Sequence, residues 1–236
     1  MSDGWGGRRV LVTGAGGFIG SHLTEHLVRA GAEVRAMVRY TGRGDLGMLT
    51  ELDADALASV DIVRSDVTDP HAVRRAVAGC DAVFHLAALI AIPHSYAAPA
   101  AYVATNVTGT LNVLEAARDL DVARLVHSST SETYGTARYT PMDDQHPLQP
   151  QSPYAASKAA VESLTRVAAR ELAPFNITVN AVGPTPVMTD LIRTVPKQKM
   201  DALIATQAIR RLGEHRDIAN VIDFFVSRDS DFITGQ

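Results

Sequence analysis

Val10-Leu11-Val12-Thr13-Gly14-Ala15-Gly16-Gly17-Phe18-Ile19-Gly20 decides the fold. An apolar run reads as a buried strand, and the glycines after it allow a sharp turn into a helix opening at Phe18. A strand feeding a helix in this way lets a dinucleotide pyrophosphate approach the backbone and rest on the positive helix N-terminus. Gly14, Gly17 and Gly20 are spaced Gly-x-x-Gly-x-x-Gly, whereas the general dinucleotide fingerprint asks for glycines at 14, 16 and 19, and position 19 is Ile. Far downstream, Tyr154-Ala155-Ala156-Ser157-Lys158 places a phenol and an ammonium at i and i+4, on one helix face. An ammonium beside a phenol lowers the phenol's pKa, and moving it from about 10 towards 7 takes roughly 4 kcal/mol of differential stabilisation. Such a pair is the acid/base that hydride transfer at a carbinol carbon needs.

The rest of the chain alternates strand and helix, the pattern of a parallel α/β sheet with helices on both faces. Strands are predicted at Val10–Thr13, Glu33–Val38, Asp61–Arg64, Ala82–Leu86, Arg124–Ser128 and Asn176–Ala181. Helices are predicted at Phe18–Ala30, Asp69–Ala78, Ala101–Leu120, Pro153–Leu172 and His215–Ser227, with shorter ones near Leu46–Ser59 and Pro196–Gln207. With 236 residues the chain reads as one doubly wound dinucleotide-binding domain, residues 1–9 forming a flexible tail. Gly135–Ser152, with three prolines and no periodicity, lies beyond a strand's carboxyl end and reads as a substrate-side loop.

Composition narrows the function classes. A net charge of -4 with both signs dispersed gives no reason to expect nucleic acid or an anionic membrane as partner. One cysteine, Cys80, cannot close an internal disulfide, and the polar, Gly-rich start lacks the apolar core of a signal peptide. A cytoplasmic protein without metal ligands is expected.

Taken together, the glycine turn and the Tyr154/Lys158 pair resemble the short-chain dehydrogenase/reductase superfamily across nearly the whole chain. In that superfamily the residue closing the second strand chooses between the nicotinamide dinucleotides. A carboxylate accepts from the adenosine ribose 2′-OH, and a basic residue takes a 2′-phosphate. Arg39 stands there, with Arg43 nearby, so the cofactor is NADP or NAD with NADP favoured; a solvated surface arginine is the plain alternative. Asp66-Val67 resembles the adenine-binding pair, although Asp69-Pro70 offers a helix cap in the same region. Leu86-Ala87-Ala88 resembles the small-residue strand end that the adenine ribose approaches, with His85 before it reading as a packed strand-end histidine. Asn106 resembles the asparagine that holds a water beside the active-site lysine, and Thr189 the hydroxyl that meets the nicotinamide carboxamide. Phe18 and Ile19 open the phosphate-binding helix.

The segment Ser128-Ser129-Thr130-Ser131-Glu132-Thr133-Tyr134-Gly135 resembles the extended branch of the superfamily, which modifies nucleotide-linked sugars. There Thr130 would hydrogen-bond the reacting oxygen, and the 24 residues from Thr130 to Tyr154 match that branch, the compact branch using about half that gap. Sugar-nucleotide 4,6-dehydratases usually follow with a proton donor and a base. Glu132 matches the base, and Ser131 replaces the donor, a poor general acid at neutral pH.

Beyond about Lys158 the motifs resemble instead the compact ketone and acyl-carrier-protein reductases, among them Gly183-Pro184-Thr185-Pro186-Val187-Met188-Thr189. Three readings follow: a sugar-nucleotide 4,6-dehydratase-like enzyme, an NADPH-dependent ketone reductase, and a dinucleotide-binding scaffold without turnover. In the compact branch one more strand follows the equivalent of Phe232–Gln236. The sheet is therefore expected to show an unpaired edge that invites a homodimer or larger homo-oligomer.

Overall fold

The computed structural model describes residues 5–139, 142–143, 145–184, 186–187, 193, 195–207 and 209–236. Among them six strands, β1 (Arg9–Thr13), β2 (Glu33–Val38), β3 (Asp61–Arg64), β4 (Ala82–His85), β5 (Arg124–Ser128) and β6 (Thr178–Val182), form one sheet in the order β3-β2-β1-β4-β5-β6. Every pairing is parallel. This is the Rossmann-type doubly wound sheet, whose order reverses between β1 and β4 and opens a crevice beyond their carboxyl ends.

Strand residues alternate between two cores. Val10, Val12, Val34, Ala36, Phe84 and Val126 pack with Leu23 and Leu27 of α1 (Phe18–Arg29) and with the terminal helix His215–Val226. Leu11, Met37, Val83, Leu125 and Val179 pack on the other face. There they meet α3 (Pro70–Val77), α6 (Gly109–Asp119) and α7 (Pro153–Leu172), which follow the short α2 (Ala54–Ala58), α4 (Ile92–Ala97) and α5 (Pro99–Tyr102). Next come α8 (Lys197–Thr206) and α9, the helix His215–Val226. Continuous burial of β1 and β4 is what a central parallel strand requires.

Several expectations shift in detail. The strand predicted from Asn176 starts at Thr178, because Asn176 adopts φ 58° to end the preceding turn while the Ile177 N–H closes onto the Leu172 carbonyl. The helix predicted over Ala101–Leu120 is interrupted by a π segment, Val103–Thr108. Within the expected N-terminal tail the Trp5 side chain is buried in the core, the indole lying edge-on to Phe84 at 5.9 Å. The α4 helix carries Pro93 in its first turn, a start signal that the sequence offers and the reading left unassigned. At the sheet edge, Gly235 N–H donates to Val179 O and Ala181 N–H to Gln236 O, so the edge expected to be bare is paired along part of β6.

The strand-to-helix turn depends on two missing side chains. Gly14 has φ 69°, and a Cβ there would lie 2.6 Å from the Ala87 nitrogen; at Gly20 it would lie 2.2 Å from the Gly14 oxygen. Gly14→Ala should therefore cost roughly 2 kcal/mol or more through strain and backbone collision, read as a lower denaturant midpoint. An unchanged midpoint would show that β1 and β4 can part at no cost.

Candidate functional site

The site is built along the carboxyl ends of the strands. Gly17 is exposed at the start of α1; no side chain caps that helix and its first turn holds no acid, which leaves its positive end open to an anion. This open cradle fits a dinucleotide pyrophosphate. Beyond β2 and β3, the exposed Arg39 guanidinium lies 3.8 Å from the Asp66 carboxylate. Asp66 also accepts from the Thr68 N–H and hydroxyl at 2.9 and 2.8 Å. Asp69 takes the capping role, accepting from His71 N and Ala72 N at the start of α3. Val67 is buried under Gly109, where a Cβ would meet it at 2.8 Å. After β4, the Leu86 and Ala87 N–H groups donate to the Thr13 carbonyl and hydroxyl, at 3.2 Å each, which holds the segment running on to Ala88 against the glycine turn.

Tyr154 and Lys158 sit in the first two turns of α7. That helix starts where it does because Ser152 accepts from Ala155 N at 3.0 Å and Pro153 occupies the first helical position. Both side chains are buried. Burial pushes the Tyr154 phenol above its ordinary range; the Thr130 hydroxyl pulls the other way, and Glu132 and Tyr102 add to the rise. Lys158 does not lower the phenol as expected. Its ammonium donates to the Ser128 carbonyl at 2.6 Å, and its pKa is pushed down to about 8 by burial, with Glu162 opposing. The i, i+4 spacing brings the two groups to one face, but the strand-end carbonyl takes the ammonium's hydrogen bond.

Asn106 is buried in the π segment, a helix irregularity common at functional sites. Its side chain is engaged by protein. It accepts from Leu89 N at 2.8 Å and donates to Leu89 O and to the Ser157 hydroxyl, which itself donates to the Tyr154 carbonyl at 2.7 Å. Thr130 caps the short turn Ser131–Tyr134, and Ser131 and Glu132 are exposed on it.

A cavity of about 1140 Å³ opens past β5 and β6. Thr130, Ser131, Glu132 and Gly183 line one side, Arg211, Asp217 and Val221 the other. Tyr154 and Lys158 lie outside its lining; Thr130, which lines it, stands near enough to the phenol to act on its pKa. The loop 135–152 contributes Gly135, Ala137, Met142 and Asp143. It has an anchor that periodicity could not reveal: the buried His146 ring accepts from Arg138 N at 3.0 Å and lies against the Tyr134 and Tyr139 rings. Thr189 lies outside the described residues.

Two buried histidines face each other across β4 and β5, His85 and His127, both held neutral by burial with pKa values near 3. Cys80 is equally inert, its thiol pushed up to about 11 by burial. Among the described residues no group of three or more His, Cys, Asp or Glu could hold a metal ion, and no helix is long and apolar enough to cross a membrane.

The strand order, the glycine turn and the Tyr154/Lys158 placement are those of the short-chain dehydrogenase/reductase superfamily. Within it the chain belongs to the family of GDP-mannose 4,6 dehydratase, whose model matches residues 11–235. The dTDP-glucose 4,6-dehydratase of Streptomyces niveus is 38% identical over 162 residues, covering 66% of this chain and 48% of that protein. The UDP-glucose 4-epimerase of Streptomyces lividans is 36% identical over 159 residues, covering 66% and 46%. The chain thus spans about half the length of the curated relatives it matches. Among solved structures, a dTDP-glucose 4,6-dehydratase of Streptomyces venezuelae with NAD bound superposes with a TM-score of 0.75 at 29% identity, over 92% of this chain and 71% of that one. A short-chain type dehydrogenase/reductase of Mycobacterium ulcerans gives 0.79 at 28%, over 98% and 87%.

Burial of Lys158 has a measurable pH signature. The unfolded chain holds the proton up to about 10.5 and the folded one releases it near 8, so between these values the unfolded state binds more protons. For this group stability is flat below pH 8 and rises with pH through the window. Lys158→Met should remove that rise and stabilise the folded chain at neutral pH by about 1–3 kcal/mol, read by denaturant titration at several pH values. A Met variant less stable than the parent at pH 7 would mean that the bond to Ser128 outweighs the desolvation.

Proposed function

We propose that this chain is a nicotinamide-dependent oxidoreductase of the sugar-nucleotide 4,6-dehydratase type, formed as one dinucleotide-binding domain. The observation that carries the reading is that Thr130 and Glu132 line one cavity and both act on the Tyr154 phenol beside it. Family membership and the named relatives support it. Gly14, Gly17, Gly20 and the α1 terminus at Phe18 and Ile19 would hold the pyrophosphate, Asp66 and Val67 the adenine, Leu86, Ala87 and Ala88 the adenosine ribose, and Lys158 the nicotinamide ribose. The cofactor, when bound, supplies the hydride acceptor. Thr130 fixes the C4 oxygen of the sugar, and Tyr154 takes its proton as that carbon is oxidised. A C4 ketone acidifies the hydrogen on C5, which Glu132 removes. The same carboxyl then hands that proton to the hydroxyl leaving C6, so that water departs although Ser131 stands where a separate acid is usual; C6 would take back the hydride removed from C4, and C5 a proton that balances the one Tyr154 took, so that the net change is the loss of one water.

The closing experiment incubates the protein with dTDP-glucose and with UDP-N-acetylglucosamine and follows loss of one water by mass. Tyr154→Phe should lower turnover roughly 10²–10⁴-fold while cofactor affinity stays within a few-fold. Glu132→Gln should still oxidise C4, leaving reduced cofactor visible by absorbance with no dehydrated product. If Glu132→Gln turns over as the parent does, the carboxylate is a bystander and elimination is the wrong reaction.

Arg39 supports NADP over NAD, since a guanidinium can pair a 2′-phosphate; Asp66 beside it is the acid that could instead meet a ribose hydroxyl. Calorimetry should show NADP binding about tenfold more tightly, a preference that Arg39→Ala removes. A preference for NAD in both proteins would overturn this assignment.

A further inference from the structure

We infer that His85, outside the expected catalytic set, is a positioning residue that ties the glycine turn to the Tyr154 site as a neutral imidazole with its proton on Nε2. The inference rests on the reading of Tyr154 as proton carrier, and its test separates the two.

Every hydrogen along the connection can be assigned. The Thr110 hydroxyl donates to the Asn106 carbonyl at 2.6 Å, so toward the His85 Nε2, 2.9 Å away, it has only a lone pair to offer. Nε2 therefore carries the proton. At the other nitrogen, Thr13 Oγ1 accepts from the Ala87 N–H at 3.2 Å and spends its one hydrogen on His85 Nδ1 at 2.7 Å. The column runs from Ala87 through Thr13, His85 and Thr110 to Asn106, with each donor matched to an acceptor. A second proton on the ring would take the Thr13 oxygen's remaining capacity and leave its O–H buried without a partner. Burial, with the nearby His127 and Lys158 opposing a further positive charge, keeps that proton off.

Both ends of the column are parts of the proposed site. Ala87 is the backbone against which Gly14 turns, 2.6 Å from where a Cβ would stand. Asn106 braces Leu89 and, through Ser157, the first turn of α7 that carries Tyr154. His85 touches none of the atoms expected to react. It sets the distance between the segment that would hold the cofactor and the helix that holds the phenol.

The test begins with nitrogen NMR of the histidine rings in the unaltered protein, which needs no variant to fold. The expected His85 signature is the neutral Nε2–H tautomer, unchanged between about pH 5 and 8, the range where an ordinary histidine titrates. An Nδ1–H tautomer, or a ring that titrates there, would overturn the inference. Thr110→Val keeps the shape and removes the acceptor. Its kcat should fall about ten- to a hundredfold with KM for the sugar nucleotide nearly unchanged, and amide exchange at Ala87 and Leu89 should accelerate. Thr110→Ser should restore both. A Val variant with unchanged kcat and unchanged exchange refutes the coupling. If instead Tyr154→Phe retains activity, the proton-carrier reading fails, while the tautomer and the exchange at Ala87 still judge the column on their own.

Discussion

The structure depends on how closely two strands' exits approach each other. β1 and β4 run side by side and both turn away at their carboxyl ends, and the turn after β1 passes so near the Ala87 backbone that no side chain fits at Gly14. Because β1 leaves towards α1 and β4 towards the segment leading to Asn106, this is the point where the sheet's winding reverses. Pull the two exits apart and the glycine turn loses its backing, the Thr13 hydroxyl its donor from Ala87, and Asn106 its register with Leu89. A parallel sheet supplies the crevice in general; the absence of one methyl group makes this crevice narrow.

Around that point the chain buries an unusual density of polar groups: Thr13, His85, Asn106, Thr110, His127, Ser157 and Lys158. A buried polar group is costly unless it is satisfied, and most of these are satisfied by one another. Two are less fully relieved. Lys158 stays buried with the Ser128 carbonyl as its acceptor, and the His127 Nδ1 finds no hydrogen-bond partner.

Much of this was legible in the sequence, for physical reasons. Strand and helix positions followed from apolar runs and caps, and the glycine turn from its spacing, because local patterns report local structure. Asp69 and Asp66 could not be separated by composition, since both acids stand where a cap or an adenine partner is wanted; only the observed bonds to His71 and Ala72 divide them. The direction of the Tyr154 shift was missed because helical spacing fixes which face a lysine is on and says nothing of a carbonyl on a neighbouring strand. The π segment at Asn106 and the His146 anchor of the loop 135–152 escaped for the same reason: each depends on a partner distant in sequence, Leu89 and Ser157 for the first and the Arg138 backbone with two tyrosine rings for the second.

The two cores are separated by the sheet, and the functional parts divide between them. The helix that opens at the glycine turn packs with α9 on one face, whereas α6 and α7, which flank Asn106 and carry Tyr154 and Lys158, pack on the other. The helix behind the glycine turn and the helix bearing Tyr154 are thus mounted on different foundations. Evolution, or an engineer, can repack Leu23 and Ile222 to retune one without reshaping Val113 and Leu172, on which the other stands. Drift in the first core would reach the glycine turn and drift in the second the helix that carries Tyr154, a contrast that paired core variants would expose.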